Sequence, residues 1–431
     1  GMTLSFHHHY RNGDMLLNMV LDEIKKRKLK NIVLAPSSIF PIHEPLVSLI
    51  KNQNVTSIFT NYVNGPVADA ISHGYLRDYL IMDTHGGRAR AIETGEIKID
   101  VAFIAASAAD MKGNANGIDG ANPCGPLGYI YPDLYYAKHK VLVTDTILDS
   151  LSKIDIDHTY INYLIKVDQI GLSSGIESGT TSMTKDPVQL KIAKDTVKLI
   201  EELGYIKDKM SFQTGAGTTS IAVANYLKSK MMNKNIIGSF ASGGITSSLV
   251  DMYEHKLFRK LYDVQSFDLT AVNSYKTNKD HMLMSASTYA NPFVKDNIAN
   301  KLDVVILGAT EIDLNFNVNV TTTSTHQLIG GSGGHSDTAY GAKLTIITTN
   351  LVKSRIPSIR NHIQVISTPG STVDAIVTER GIAINPKRID LIEKLKKSKL
   401  NIISIKALHH KAIAITGTPK AYQHKKRVIG L

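Results

Sequence analysis

Tryptophan is absent from this 431-residue chain, and cysteine occurs once, at Cys124. A single thiol excludes an internal disulfide framework and a cysteine-ligated zinc site, and it suits a reducing compartment. No stretch approaches the ~18 consecutive apolar residues that a membrane-spanning helix needs. The opening residues carry no leader pattern, so a cytoplasmic protein without membrane association is the expectation. The lysines are scattered and no nucleic-acid-binding motif accompanies them, so nucleic acid is not an expected partner.

What is present describes an ordinary globular protein, with 43% hydrophobic and 20% charged residues. The length suits two or three domains. The formal net charge of +11 favours anionic partners, either an anionic cofactor or an acidic protein.

Short apolar runs alternate with amphipathic stretches from residue 31 onward. Residues 31–35, 55–59, 80–83 and 99–105 read as strands, and 44–51 and 67–73 as helices. The run IDVAFIA at 99–105 is apolar throughout, as a strand buried on both faces must be. Such alternation predicts an α/β fold with mostly parallel sheets and right-handed crossovers. Ligands on such sheets sit at the carboxyl ends of the strands, where Asp110, Gly113 and Asn114 follow IDVAFIA. Residues 171–185 (GLSSGIESGTTSMTK) read as a linker, and Asp186-Pro187 as the start of a new helix. The expected organisation is one domain over 1–180 and a second over 181–431. Within the basic tail, a lysine-rich helix and apolar strands at 401–405 and 411–415 are expected to pack on the second domain.

The stretch with the clearest chemical use is 210–227, MSFQTGAGTTSIAVANYL. A strand ends at Thr214, Gly215, Ala216 and Gly217 turn, and a helix begins at Thr218. Free amides at a helix N-terminus, helped by the helix dipole, can hold phosphate, carboxylate or the oxyanion of acyl transfer. The same spacing also serves a tight strand-to-helix connection. A second glycine cluster, GGSGGHSD at 330–337, is bare enough for a ligand to approach its backbone, and equally reads as a flexible loop. His7, His8 and His9 stand together, but no second ligand group supports a metal there, and none is expected.

Taken together, residues 5–14 (SFHHHYRNGD), 122–129 (NPCGPLGY), 215–227, 330–344 and 377–386 resemble the alpha subunits of citrate lyase, over essentially the whole chain. Those proteins ordinarily carry a further stretch upstream of the point where this sequence begins. ETGE at 93–96, the Asp110–Asn114 segment, the 215–217 turn, GSGGHSD and VTERG are also similar to acetyl-CoA hydrolases and acetate or butyrate CoA-transferases. The resemblance implies a tandem of two CoA-transferase-like α/β domains. It implies a transferase that exchanges acetate for citrate on an acyl carrier protein, in an oligomeric complex with a citryl-lyase subunit. The cofactor implied is the carrier's CoA-derived thioester arm, with acetyl-CoA as a surrogate. Gly215, Ala216 and Gly217 would supply oxyanion donors. Gly331, Gly333, Gly334 and His335 would lie against the arm. Arg88, Arg90, Arg380 and His8 are the candidates for binding citrate. Relatives that form a glutamyl thioester place Glu eight residues before the Asp of a VDLYE-like segment. Here the segment is VDMYE at 250–254, and that position is Gly243. An acyl-CoA hydrolase or CoA-transferase with a glutamyl intermediate, and a non-catalytic scaffold, are the alternative readings.

Overall fold

The computed structural model describes residues 1–177, 184–420 and 428–431. Its framework is two large sheets. The first is wholly parallel and runs, edge to edge, Tyr163–Lys166, His139–Thr144, Val101–Ala105, Thr3–Phe6, Ile32–Pro36, Val55–Thr60, Tyr79–Met82. The second runs His281–Leu283, Phe258–Ser266, Gly238–Ile245, Ser211–Thr214, Val304–Gly308, Leu344–Thr348, Ala375–Thr378, Gly381–Ile384. Only its last pair is antiparallel. The apolar runs become strands because helices cover both faces. Val55–Thr60 and Leu344–Thr348 are buried along their whole length.

The two sheets share one topology. Numbered within its own half, each reads 4-3-2-1-5-6-7, and the second adds an antiparallel eighth strand. The fifth strand of each half is followed by the same small sheet. Ala108–Asp110 pairs antiparallel with Ala115–Asn116 and parallel with Ile147–Leu148. Glu311–Asp313 pairs likewise with Val318–Asn319 and Ile359–Arg360. Even the turns repeat. The Asp110 carboxylate accepts from the amides of Lys112, Gly113 and Asn114 and from the Asn114 side chain. Asp313 does the same for the amides of Asn315 and Asn317 and for the Asn317 side chain. The shared pattern is D-x-x-x-N-x-N, at 110–116 and 313–319.

Local rules hold where the sequence is explicit. Asp186 caps the helix Pro187–Glu202 by accepting from Val188 N. Its stripe of Ile192, Ala193, Val197 and Ile200 is buried, and Gly204 ends it at φ +79°. Two expectations need correction. Residues 411–415 are not a strand but part of the helix Ile405–Thr416, which Ser404 caps and which buries Ile405, Leu408 and Ala412 on one face. The tail's last residues do not join the second sheet. Leu431 exchanges backbone hydrogen bonds with Leu80 and Met82 on the first. Of the expected linker, residues 178–183 lie outside the described residues. Gly171 pairs with Asp14, and Leu172 N donates to Gly13 O.

Candidate active site

In each sheet the first strand lies between the second and the fifth, so the crossovers diverge there and open a crevice at its carboxyl end. In the first half, Thr3–Phe6 leads into His7, His8 and His9. In the second half, Ser211–Thr214 leads into Gly215, Ala216 and Gly217. The two carboxyl ends contact each other. Gln265, at the end of Phe258–Ser266, donates to His8 O at 2.6 Å. Gly128 N donates to Val264 O, and Ala286 N to Gly128 O, so the NPCGPLGY segment is wedged between the halves.

The 215–217 turn is open. Gly217 is the N-cap of the 16-residue helix Thr218–Asn233, with no side chain bonded back to the helix amides. Among the described residues, the Ala216 and Gly217 amides have no hydrogen-bond partner. A Cβ built on Gly215 or Gly217 would meet only Ser220 Oγ, at 3.8 and 4.0 Å. Neither residue has a positive φ. Packing and backbone angle therefore demand glycine at neither position, and the space beside the amides is unfilled by protein.

Beneath the turn, Gln213 Nε2 donates to Tyr289 Oη at 2.7 Å, and Gln213 Oε1 accepts from Ser242 Oγ. Gly243 follows at φ +110°, where a Cβ would come within 2.7 Å of the Gln213 side chain. The position where relatives carry the glutamyl nucleophile thus has neither a carboxylate nor room for one. Gly244 abuts the Phe267 ring, and the Arg11 guanidinium carbon lies over that ring, 4.5 Å from its centroid. Phe40 flanks the same guanidinium at 5.5 Å.

The three histidines diverge. His7 Nε2 pairs with Asp133 at 2.9 Å, and His9 Nε2 accepts from Tyr129 N. His8 Nδ1 bonds Ser37 Oγ at 2.5 Å, and its ring stacks on Tyr129 with centroids 4.5 Å apart. No metal-ligating cluster exists among the described residues. Burial, then the neighbouring His85, holds the His8 imidazole well below its ordinary value. Burial also lowers His85 to about 3. The His8 and His85 rings are therefore neutral at pH 7 and contribute hydrogen bonds and stacking rather than charge.

Of the cations expected for citrate, the structure brings none to this crevice. Arg88 is buried, and its Nη groups are taken by Asp133 at 3.0 and 3.3 Å, Ser5 Oγ and Ala35 O. Burial would raise the Asp133 carboxyl, but Arg88 and His7 hold it well below the usual carboxylate range. Arg88 is a structural cation. Arg90 pairs with Glu96 at 2.5 Å. Arg380 sits exposed at the tip of the final hairpin, three strands along the sheet from Ser211–Thr214. Only His8 of the four candidates lies at the crevice. Arg11 was not among them. Its one sequence signal is its place in HHHYRNGD, directly after the histidines.

The second glycine cluster faces protein. Gly333 O accepts from His85 N at 2.9 Å, and Val63 N donates to Gly330 O. A Cβ on Gly331 would lie 2.1 Å from Asn61 O, and one on Gly334 2.4 Å from Tyr289 Oη. Both His335 nitrogens are engaged, by Thr368 Oγ1 and Gly308 O. Asp337 accepts from Gly86 N at 3.0 Å, and burial pushes its carboxyl up to about 7. Gly330, Gly331 and Gly333 bring the loop against the first half of the molecule, and Gly334 packs on Tyr289 of its own half.

Two halves of one topology define a tandem α/β fold of the CoA-transferase type. The fold matches a 4-hydroxybutyrate CoA-transferase from Porphyromonas gingivalis with a TM-score of 0.61 at 16% identity, over 95% of this chain and 93% of that one. The family model for the citrate lyase alpha subunit (CitF) matches residues 1–431, and the chain belongs to that family. It is 43% identical to the citrate lyase alpha chain of Escherichia coli (strain K12), over 100% of this chain and 85% of that protein. A crystal structure of the putative alpha subunit of citrate lyase from Streptococcus mutans, in complex with citrate, superposes with a TM-score of 0.98 at 45% identity. It covers 100% of this chain and 85% of that one.

Proposed function

We propose that this chain catalyses the exchange acetyl-carrier + citrate → citryl-carrier + acetate, and that it works beside an acyl carrier protein and a citryl-lyase subunit. Family membership supports the reaction, and the observation that carries the chemistry is the open turn at 215–217. A citrate carboxylate oxygen attacks the acetyl thioester carbon. The C–S bond breaks, giving a mixed anhydride and the carrier's thiolate. The thiolate then attacks the citryl carbonyl, and acetate leaves. Both nucleophiles belong to the substrates, so the protein supplies position and oxyanion stabilisation rather than a catalytic serine or cysteine. Each tetrahedral intermediate places one negative oxygen where the Ala216 and Gly217 amides can donate. Removing one such donor typically costs about 3 kcal/mol in the barrier. The crowding of position 243 by Gln213, where no carboxylate stands, supports a route with no glutamyl thioester.

The test mixes acetyl-carrier, isotopically labelled citrate and this chain, without the lyase subunit, and follows the carrier by mass spectrometry. A labelled citryl thioester with stoichiometric acetate is the expected result. Acetate without citryl-carrier would make the chain a hydrolase. No change, with folded protein and competent carrier, would leave it a scaffold.

A further inference from the structure

We infer that Arg11 is the receptor for a carboxylate of the polycarboxylate substrate, clamped between Phe40 of the first half and Phe267 of the second. The inference rests on the transferase reading above and names the residue that reads its substrate. Three observations carry it.

The first is an unmatched charge. Arg88 faces Asp133, Arg360 faces Glu311, and Arg388 faces Asp374. Arg11 has no ion pair and no side-chain hydrogen bond among the described residues, only two aromatic faces. The Arg11 side chain is half-buried, and burial lowers its pKa despite the nearby Tyr62 and Tyr129. A cation that has given up part of its hydration without gaining an anion is poised to take one.

The second is orientation. Contact with two ring faces uses none of the guanidinium's N–H donors, and those donors match a carboxylate in bidentate fashion. The neighbouring imidazoles are neutral, so Arg11 is the permanent positive charge of this cluster.

The third is a backbone built to hold it. Arg11 adopts φ +52°, in the left-handed region that a β-carbon disfavours. The turn is pinned on both sides. Arg11 N donates to His8 O, the same oxygen that accepts from Gln265. Asn12 Oδ1 accepts from Ile42 N, and Gly13 O from Leu172 N. The turn stands at the end of the first strand of the first sheet, and Phe267 at the end of the third strand of the second. A carboxylate bound there bridges the two halves beside Gly244, next in the chain to the Gly243 that lies against Gln213.

The test is titration calorimetry of citrate into the purified chain, for the wild type, Arg11→Gln and Arg11→Lys, beside the KM for acetyl-carrier. Losing a charge-assisted bidentate contact predicts roughly 10- to 100-fold weaker citrate binding in Arg11→Gln. Arg11→Lys, which keeps the charge and loses the planar fork, should fall between. The acetyl-carrier KM should stay within about twofold, a split that a merely structural role would not produce. Melting curves establish that each variant folds, and Arg11→Lys is read alone where Arg11→Gln does not. Citrate affinity within about twofold of wild type in a folded variant overturns the inference. So does a parallel loss of affinity for citrate and carrier. A wild type that binds citrate but transfers nothing would instead defeat the transferase reading, with the Arg11 comparison still measurable.

Discussion

The turn at 215–217 and the cluster at 330–334 are equally bare of side chains, yet a methyl group added to them would meet different things. At Gly215 and Gly217 it would meet one serine hydroxyl at van der Waals distance. At Gly331 and Gly334 it would strike a carbonyl at 2.1 Å and a phenol at 2.4 Å. The first pair keeps space for something the chain does not contain. The second pair removes space so that the loop can close on Asn61 of the first half and on Tyr289 of its own. Glycine richness alone does not separate these uses; the contact partner does. The largest effect that tests the contrast is on turnover. Gly217→Val should lower kcat by about 10²- to 10³-fold, because its side chain projects into the approach to the oxyanion donors. Folding should lose no more than about 1 kcal/mol, since the N-cap position is extended and uncrowded. Carrier-exchange rates and melting temperature, measured together, check it. A large fall in melting temperature would mean that the first turn too is a packing device.

At the second loop the balance reverses. Gly331→Val should cost about 3 kcal/mol of stability, since overpacking forces a backbone shift. The site is a seam between the halves, so denaturant unfolding should show a lower midpoint. Activity per folded molecule should change little unless the seam also positions the crevice. Asp337, in the same loop, adds a pH dependence. Its carboxyl titrates near 7 in the folded chain, against an ordinary value of 3.8. A raised acid binds its proton more tightly when folded, so its burial costs nothing below about pH 4. The cost grows from there to about pH 7 and is complete above it. Asp337→Asn keeps an acceptor for Gly86 N and removes the ionisation. It should gain on the order of 2 kcal/mol relative to wild type at pH 8, and little at pH 4. Thermal melts across that range measure the slope. Parallel curves for the two proteins would mean that the carboxylate is solvated.

Why the two loops look alike in sequence is also why the site was only partly legible there. Local signals transferred well: the Asp186 cap, the apolar strand at 99–105 and the strand–turn–helix at 210–227 fold as their residues require. Partners distant along the chain did not transfer. Arg88 looked like a free cation because Asp133, which consumes it, comes 45 residues later. Gly331 looked like a ligand cradle because Asn61 lies in the other half. Arg11 looked like part of a turn because its two aromatic neighbours come from separate halves of the chain. The tandem of similar halves is suggested by the alternation and the resemblance, but no repeat in the sequence establishes it. D-x-x-x-N-x-N occurs twice, and in both copies the Asp gathers the following amides, but a seven-residue pattern with three fixed positions carries weight only once the sheet order repeats around it.

The smallest effect is the sharpest discriminator. Gly215→Ala and Gly331→Ala add the same methyl group to the same residue type. At Gly215 the methyl would enter open space on a backbone that any residue can adopt. Restricting the unfolded chain then contributes a gain of about 0.4–1 kcal/mol, so the melting temperature should hold or rise slightly. At Gly331 the methyl has nowhere to go, and the same restriction is outweighed by the clash with Asn61 O. The pair of melting temperatures should therefore move in opposite directions. Movement in the same direction would collapse the distinction between a glycine kept for a ligand and a glycine kept for a neighbour.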